Sequence, residues 1–295
     1  MDPSTEALEA FHLLIRHGYH HSAKLIYPLI RSKVEIEFGP MHRKMYDSLT
    51  ESNGTPEIYT IILERYHHTL VFLQEINAEF LFNSTDIGFF LSRISGTMYH
   101  NFGMNPMFQQ ILEDLVNLGA DFKHPNNLHM CLIGGAMGGL QILSNMDAIT
   151  GNCYNSLLIS ASYGYLDFPE MMIIVMKHII LDNTQMNELF YKYIGCSTRS
   201  SYEQYWSGPI IQLINYITDQ GYEQQMNDQI LQVMLDNRMS VPLMESILKK
   251  CSILNVNQIY RVKRKGIYDL LLNYHISVEM YGEGDEDSSD EVLIG

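Results

Sequence analysis

Histidines are the most concentrated chemically active side chains in the first part of the chain. His17 and His21 are spaced i, i+4, a spacing at which two imidazoles on one helical face can bind a metal ion. Gly18 lies between them and favours the end of a helix there, and neither a cysteine nor a third ligand is close in sequence. The His-Glu-x-x-His pattern of zinc proteases is also absent. We therefore predict histidines in turns and on the surface, with no metal site and no cofactor.

The nucleophilic residues form no recognisable catalytic pattern. No Gly-x-Ser-x-Gly sequence is present, and the glycine-rich run Gly134–Gly139 lacks the Lys-Ser/Thr that completes a phosphate-binding loop. The cysteines are widely separated and form no Cys-x-x-Cys, which favours reduced thiols in an intracellular protein, cytoplasmic or nuclear. They are Cys131, Cys153, Cys196 and Cys251. These observations predict a protein that is not an enzyme.

Basic residues concentrate in a patch near the C-terminal end. Two lysines, a ten-residue gap and a basic cluster resemble a bipartite nuclear-import signal. Two alternatives stay open: the patch contacts a phosphate backbone, or it forms a basic face that pairs with the acidic segment after it. The six residues are Lys249, Lys250, Arg261, Lys263, Arg264 and Lys265.

The composition predicts a chain that folds around a sizeable core. Of 295 residues, 46% are apolar and 18% are charged. The longest apolar run, Met171–Met176, is far shorter than the about 20 residues of a membrane span, and the acidic start Met1–Glu6 does not resemble a secretory signal. The formal charge of −15 argues against nonspecific nucleic-acid binding over the whole surface. A membrane protein, a secreted disulfide scaffold and a basic chromatin-type protein are therefore excluded.

Two regions with different patterns divide the chain. Over residues 1–278, apolar residues recur at intervals of three and four, which predicts amphipathic helices separated by turns at Gly18, Gly39-Pro40 and Ser207-Gly208-Pro209. One segment, Val34–Phe38, alternates like a strand and predicts a hairpin arm or a helix end. Residues 279–295 carry seven acidic residues and no basic one, which predicts a disordered acidic tail.

Two stretches in the middle of the chain resemble each other. Residues 130–143 (MCLIGGAMGGLQIL) align with residues 156–169 (SLLISASYGYLDFP), which pairs Gly138 with Gly164. The segment 115–122 (LVNLGADF) precedes them, and Asp121 is placed to hydrogen-bond the backbone of its turn. These motifs resemble the ankyrin repeat, in which small residues allow two antiparallel helices to approach and a glycine turns the chain between them. The resemblance covers about residues 104–182, lacks the Thr-Pro of that family and has a period of 26 rather than about 33.

The expected fold is therefore all-α: stacked helical hairpins with an ankyrin-like core, followed by the acidic tail. The resemblance implies a non-catalytic adaptor or scaffold that binds a basic or apolar protein segment on its concave face. It places Met137, Ser162, Tyr163 and Tyr165 at that partner-binding surface. A nucleic-acid-associated regulatory subunit that uses the basic patch 249–265 is the alternative function. The N-terminal segment 15–24 also resembles a LisH dimerisation hairpin, which leaves homodimerisation open.

Overall fold

A computed structural model describes residues 3–30, 32–51, 56–96, 100, 105–197, 203–222, 225–226, 228–236, 239–253 and 259–280. Within these ranges the protein is mostly helical, as the apolar periodicity predicts. None of the described helices is long and apolar enough to cross a membrane. The acidic segment after Met280 lies outside the described residues, and the first two residues of the predicted tail, Glu279 and Met280, belong to a strand.

The chain folds as two compact units, whereas the sequence predicts one domain over residues 1–278. The first contains Met1–Cys153 with Lys177–Ile179, and the second contains Tyr154–Met176 with Ile180–Gly295. The ankyrin-like region 104–182 is thus divided between them.

The first unit contains eight described α-helices and a single 3-10 turn, Tyr27–Leu29. The helices are α1 (Pro3–Arg16), α2 (His20–Ile26), α3 (Phe38–Glu51), α4 (Pro56–Glu75), α5 (Asp86–Leu91), α6 (Pro106–Asn117), α7 (Pro125–Ile133) and α8 (Met137–Asn145). The helices α3 and α4 pack together, α4 packs on α6, and α5 contacts both α7 and α8.

The described helices of the second unit form two layers. The helices are α9 (Tyr154–Tyr163), α10 (Phe168–Val175), α11 (Asn183–Ser197), α12 (Glu203–Asp219), α13 (Asp228–Asp236), α14 (Val241–Leu248) and α15 (Lys265–Asn273). In one layer α9 packs on α11 and α11 on α13, and in the other α10 packs on α12 and α12 on α14. The two helices of each hairpin, α9 with α10 and α11 with α12, also pack together, and α14 contacts α15.

Short strands pair in parallel across the helices that separate them. The pairs are β1 (Glu35–Glu37) with β2 (Glu79–Leu81), β3 (Gln225–Met226) with β4 (Ser252–Ile253), and β5 (Tyr260–Val262) with β6 (Val278–Met280). An intervening helix or helical hairpin returns the chain to the same end, so the second strand runs in the direction of the first. The alternation at Val34–Phe38 is therefore a strand, but its partner is parallel and it is no hairpin arm.

Several helix starts are fixed by local chemistry. Asn105 caps α6 by accepting a hydrogen bond from the Met107 N–H (2.9 Å), and Ser240 caps α14 by accepting one from the Leu243 N–H (3.4 Å). Both helices carry a proline in the first turn, where the missing N–H costs nothing.

The turn predicted at residues 207–209 is wrong, because α12 continues through Pro209. A proline within a helix costs about 3 kcal/mol. After it, α12 buries the apolar residues Ile210, Leu213, Ile214 and Ile217 completely, each at 0% exposure. Burying four such side chains stabilises the helix by more than the proline costs, since each contributes about 1.5–3 kcal/mol.

Candidate protein-binding site

The two similar stretches both form helix–turn–helix units, but their registers differ from the sequence alignment. Gly135 turns the chain between α7 and α8 with φ +64°, and Gly164 turns it between α9 and α10 with φ +63°. The pairing of Gly138 with Gly164 is wrong, because Gly138 lies inside α8. The hydrogen bond predicted for Asp121 is confirmed, since its carboxylate accepts from the Lys123 N–H at 2.9 Å.

Two tyrosines lie together on either side of the Gly164 turn. The ring centroids of Tyr163 and Tyr165 are 5.8 Å apart with an interplanar angle of 52°. Tyr163 is 61% exposed, whereas Tyr165 is half-buried. Burial, together with the neighbouring Tyr163, raises the pKa of Tyr165 above its ordinary value. The exposed side chain of Leu166 follows, so the turn presents aromatic and apolar area to solvent.

The other two predicted contact residues differ in their exposure. Ser162 is exposed at the end of α9, and its hydroxyl donates to the Leu158 carbonyl oxygen at 2.8 Å. Met137 is only 6% exposed, and a Cβ added at Gly96 would lie 3.3 Å from the Met137 Cβ. The prediction that Met137 contacts a partner is therefore wrong, because the side chain is part of the core of the first unit.

A groove of about 450 Å³ crosses α9, α11 and α13 on the layer that carries Ser162. Gly195 contributes no side chain, and a Cβ there would be 3.6 Å from Val233 Cγ1, an ordinary contact distance. The lining of the groove therefore combines small residues with longer side chains. Its lining residues are Ser162, Tyr191, Lys192, Gly195, Cys196, Val233 and Asp236.

All of these residues lie in the C-terminal halves of their helices. The C-terminal end of a helix carries roughly half a negative charge from its unpaired carbonyl groups. Asp236 adds a carboxylate at the end of α13, whereas Lys192 supplies the positive charge among the lining residues. The groove thus has mixed charge, with an electrostatic preference for a positively charged group beside the end of α13.

A second polar contact stiffens the same layer nearer the start of α9. The Tyr154 hydroxyl donates to the Glu188 carboxylate on α11. Burial raises the pKa of Tyr154, and the carboxylates of Glu188 and Asp182 raise it further. This contact fixes α9 against α11, and hence the position of Ser162 relative to Tyr191 and Lys192.

The predicted basic patch is split into two groups. Lys249 pairs with Glu245 (2.7 Å) one turn earlier on α14, and this carboxylate raises the Lys249 pKa. Lys265 is the first residue of α15. The remaining members, Arg261, Lys263 and Arg264, line a separate groove beside β5, and Lys250 ends the turn after α14.

The cysteine and histidine side chains of the described residues form no group of three that could hold a metal ion. Burial raises the pKa of Cys153 to about 11 and that of Cys251 to about 12, which keeps both thiols protonated. His67 instead bonds Asp114 (2.7 Å), and His42 is buried against the rings of Phe38 and Phe90.

Sequence reasoning missed most of the groove. Its residues on α11 and α13 lie about 30 and 70 positions after Ser162, and no local motif marks them. The only available signal was a small residue, Gly195, inside a strongly helical pattern. Comparison of the chain with protein-family models, with curated proteins and with solved structures finds no match.

Proposed function

We propose that this protein is a non-catalytic adaptor that binds a protein partner in the groove across α9, α11 and α13. The observation that carries the proposal is the groove itself, which joins three helices of one layer and lies beside an exposed tyrosine. A layered helical stack holds such a surface rigid while its outward side chains vary freely. The proposal includes the ankyrin-like architecture for the paired helical layers.

The partner that fits best is a short basic or apolar segment. Tyr163, Tyr165 and Leu166 offer aromatic and apolar area, and a rigid tyrosine with a polar tip is a frequent anchor in interfaces. Asp236 and the carbonyl ends of the three helices favour a cationic side chain at one end of the groove.

The nucleic-acid alternative has less support. A phosphate backbone is best contacted by a continuous row of basic residues. Here Lys249 is paired with Glu245 and Arg261 with Glu279 (3.5 Å). Lys249 and Lys250 lie in the turn after α14, whereas the other four bases lie from β5 to the first residue of α15. An import signal also binds as an extended segment outside the fold, whereas Arg261 lies in a strand that is paired with β6 and Lys265 lies in a helix.

Two matched surface substitutions test the proposal in the full-length chain. Ser162→Arg places a long cation in the groove, and Gln212→Arg places the same cation on an exposed position of α12 in the other layer. Both variants and the wild type are purified from the native cell after nuclease treatment, and bound proteins are quantified by mass spectrometry. We expect one partner protein to be recovered equally with wild type and Gln212→Arg. Its recovery with Ser162→Arg should be about tenfold lower, which corresponds to a loss of roughly 1.4 kcal/mol of binding free energy.

The opposite pattern would remove the proposal. If every protein recovered binds all three chains equally, the groove is not the binding surface. If the recovered material disappears with nuclease, the basic patch and nucleic acid become the better explanation.

A further inference from the structure

A second groove, which shares Asp236 with the partner groove, lies beside β5 in the second unit. It measures about 750 Å³ and combines an apolar interior with a basic rim. Met239 and Met244 supply apolar lining, and Ile259, which also lines the groove, is 59% exposed. Arg261, Lys263 and Arg264 supply three positive charges against the single carboxylate of Asp236.

The strand β5 holds this basic rim in a fixed geometry. Tyr260 is buried, and its hydroxyl donates to the Asp228 carboxylate at 2.6 Å, which anchors the strand to α13. Arg261 is exposed in β5 between the buried residues Tyr260 and Val262, as side chains alternate along a strand, and Lys263, which follows the strand, is exposed as well. The Arg264 guanidinium donates to the Met239 carbonyl oxygen (3.3 Å), which keeps its charge at the groove.

The strand pairing brings the end of the described chain to the same place. Strands β5 and β6 are parallel, with Arg261 opposite Glu279 and Val262 opposite Met280. The last described residue, Met280, therefore lies opposite Val262, one residue before Lys263. The Arg261 side chain already pairs with Glu279 (3.5 Å), the first acidic residue of the segment predicted as a tail.

The sequence that follows has the complementary composition. Residues 281–295 carry six acidic residues and no basic one, and residues 292–294 are Val-Leu-Ile. The first acid, Glu283, is three residues beyond Met280 and so within about 10 Å of it, and the whole segment reaches up to about 50 Å. Acidic residues followed by an apolar triplet match a basic rim around an apolar interior.

We propose that residues 281–295 dock in the groove beside β5, within the same chain, with their carboxylates on Arg261, Lys263 and Arg264. Each exposed ion pair contributes little, but tethering beside the groove gives the segment an effective concentration in the millimolar range. The docked segment shields the rim from other anions. Because the pairs are solvent-exposed, the contact weakens as salt shortens the Debye length from about 10 Å at 0.1 M to about 3 Å at 1 M.

Zero-length carbodiimide cross-linking of the full-length chain tests this directly. The reagent joins a lysine amine to a carboxylate in contact with it, and mass spectrometry identifies the joined residues. Lys263, which lines the groove, and Lys265, two residues after it, are the reporters. Lys249 and Lys250, which are exposed in the turn after α14 and do not line the groove, are the matched lysines. We expect cross-links from residues 283–291 to the reporters to exceed those to the matched lysines about fivefold at 0.1 M salt and to drop at 1 M.

Two further measurements identify the occupant. Arg261→Gln, which removes a rim charge but no reporter lysine, should lower the reporter yield about threefold, whereas Lys250→Gln should leave it unchanged. In a mixture of light and ¹⁵N-labelled chains, each cross-linked pair should carry a single isotope. Mixed-isotope pairs would assign the groove to the segment of a second copy, and equal yields at reporter and matched lysines would show that the segment does not dock there; either result overturns the proposal.

Discussion

Replacing Gly139 with alanine should strongly destabilise the first unit. Gly139 lies in α8, which packs on α5, and an added Cβ would be 2.3 Å from the Leu91 carbonyl oxygen and 2.8 Å from Cys131 Sγ. An ordinary contact begins at about 3.4 Å, so the α5 backbone would have to move by about 1 Å. That movement also stretches the hydrogen bond from the Gly139 N–H to the Ile94 carbonyl oxygen (3.2 Å).

The magnitude follows from three contributions. Overpacking of this kind costs about 1–3 kcal/mol, and weakening the hydrogen bond costs up to about 1 kcal/mol more. The better helix propensity of alanine offsets about 1 kcal/mol. Because the added Cβ meets the Leu91 backbone, the overpacking cost lies in the upper part of that range, and the other two contributions roughly cancel. We therefore expect Gly139→Ala to lower the free energy of unfolding of this unit by about 2–3 kcal/mol.

Urea unfolding read by hydrogen exchange of peptides from α5, α7 and α8 measures this without interference from the second unit. Gly151→Ala is the control, because Gly151 has φ +79° but no atom within 4 Å of an added Cβ. Its cost comes only from the left-handed backbone and should be about 1–2 kcal/mol. Equal losses in the two variants would refute the argument that α8 approaches α5 too closely for a side chain at residue 139.

Two other buried residues give predictions of their own. The Tyr66 hydroxyl is buried with no hydrogen-bond partner among the described residues. Tyr66→Phe should therefore leave the free energy of unfolding, measured by urea titration, unchanged or raise it by up to about 1 kcal/mol. A decrease of more than about 1 kcal/mol would show that the hydroxyl has a partner. Burial and the nearby guanidinium groups of Arg93 and Arg43 lower the pKa of His42 to about 4. Below pH 6.5 the unfolded chain therefore binds a proton at His42 that the folded chain does not. The stability that the neutral imidazole contributes is complete above pH 6.5 and is lost as the pH falls towards 4. His42→Phe, which packs a ring beside Phe38, should remove up to about 3 kcal/mol of this acid sensitivity. The free energy of unfolding is measured for both chains at pH 6.5 and at pH 4.5. An equal drop between the two pH values in wild type and variant would contradict this prediction.

Local sequence signals predicted the helices well because each helix has its own apolar period and its own turn chemistry. Gly18, with φ +72°, ends α1 as expected, and Asp121 bonds its turn as expected. The error at Gly138 arose because four glycines lie within residues 134–139, and the sequence alone does not show which one has the positive φ. Pro209 misled for a related reason, since the burial of α12 outweighs the preference of a proline for a helix end.

Features that depend on contacts between distant residues were not predictable. Strand β2 is only three residues long, and its pairing with β1 depends on α3 and α4 returning the chain to that edge. The groove joins residues of three helices for the same reason. The six bases look like one patch in the sequence, but Lys249 and Lys250 lie in the turn after α14, whereas the others lie in and after β5.

Site-specific photo-cross-linking in the native cell shows whether a protein partner binds at the groove across α9, α11 and α13. A benzophenone amino acid in place of Tyr163 keeps an exposed aromatic ring at the residue after Ser162, which lines the groove, and the same amino acid at Gln212 samples the other layer. We expect one discrete protein adduct at position 163 that is absent at position 212 and that disappears when Ser162→Arg is added. An absence of any adduct at position 163, or the same adduct at both positions, would contradict it.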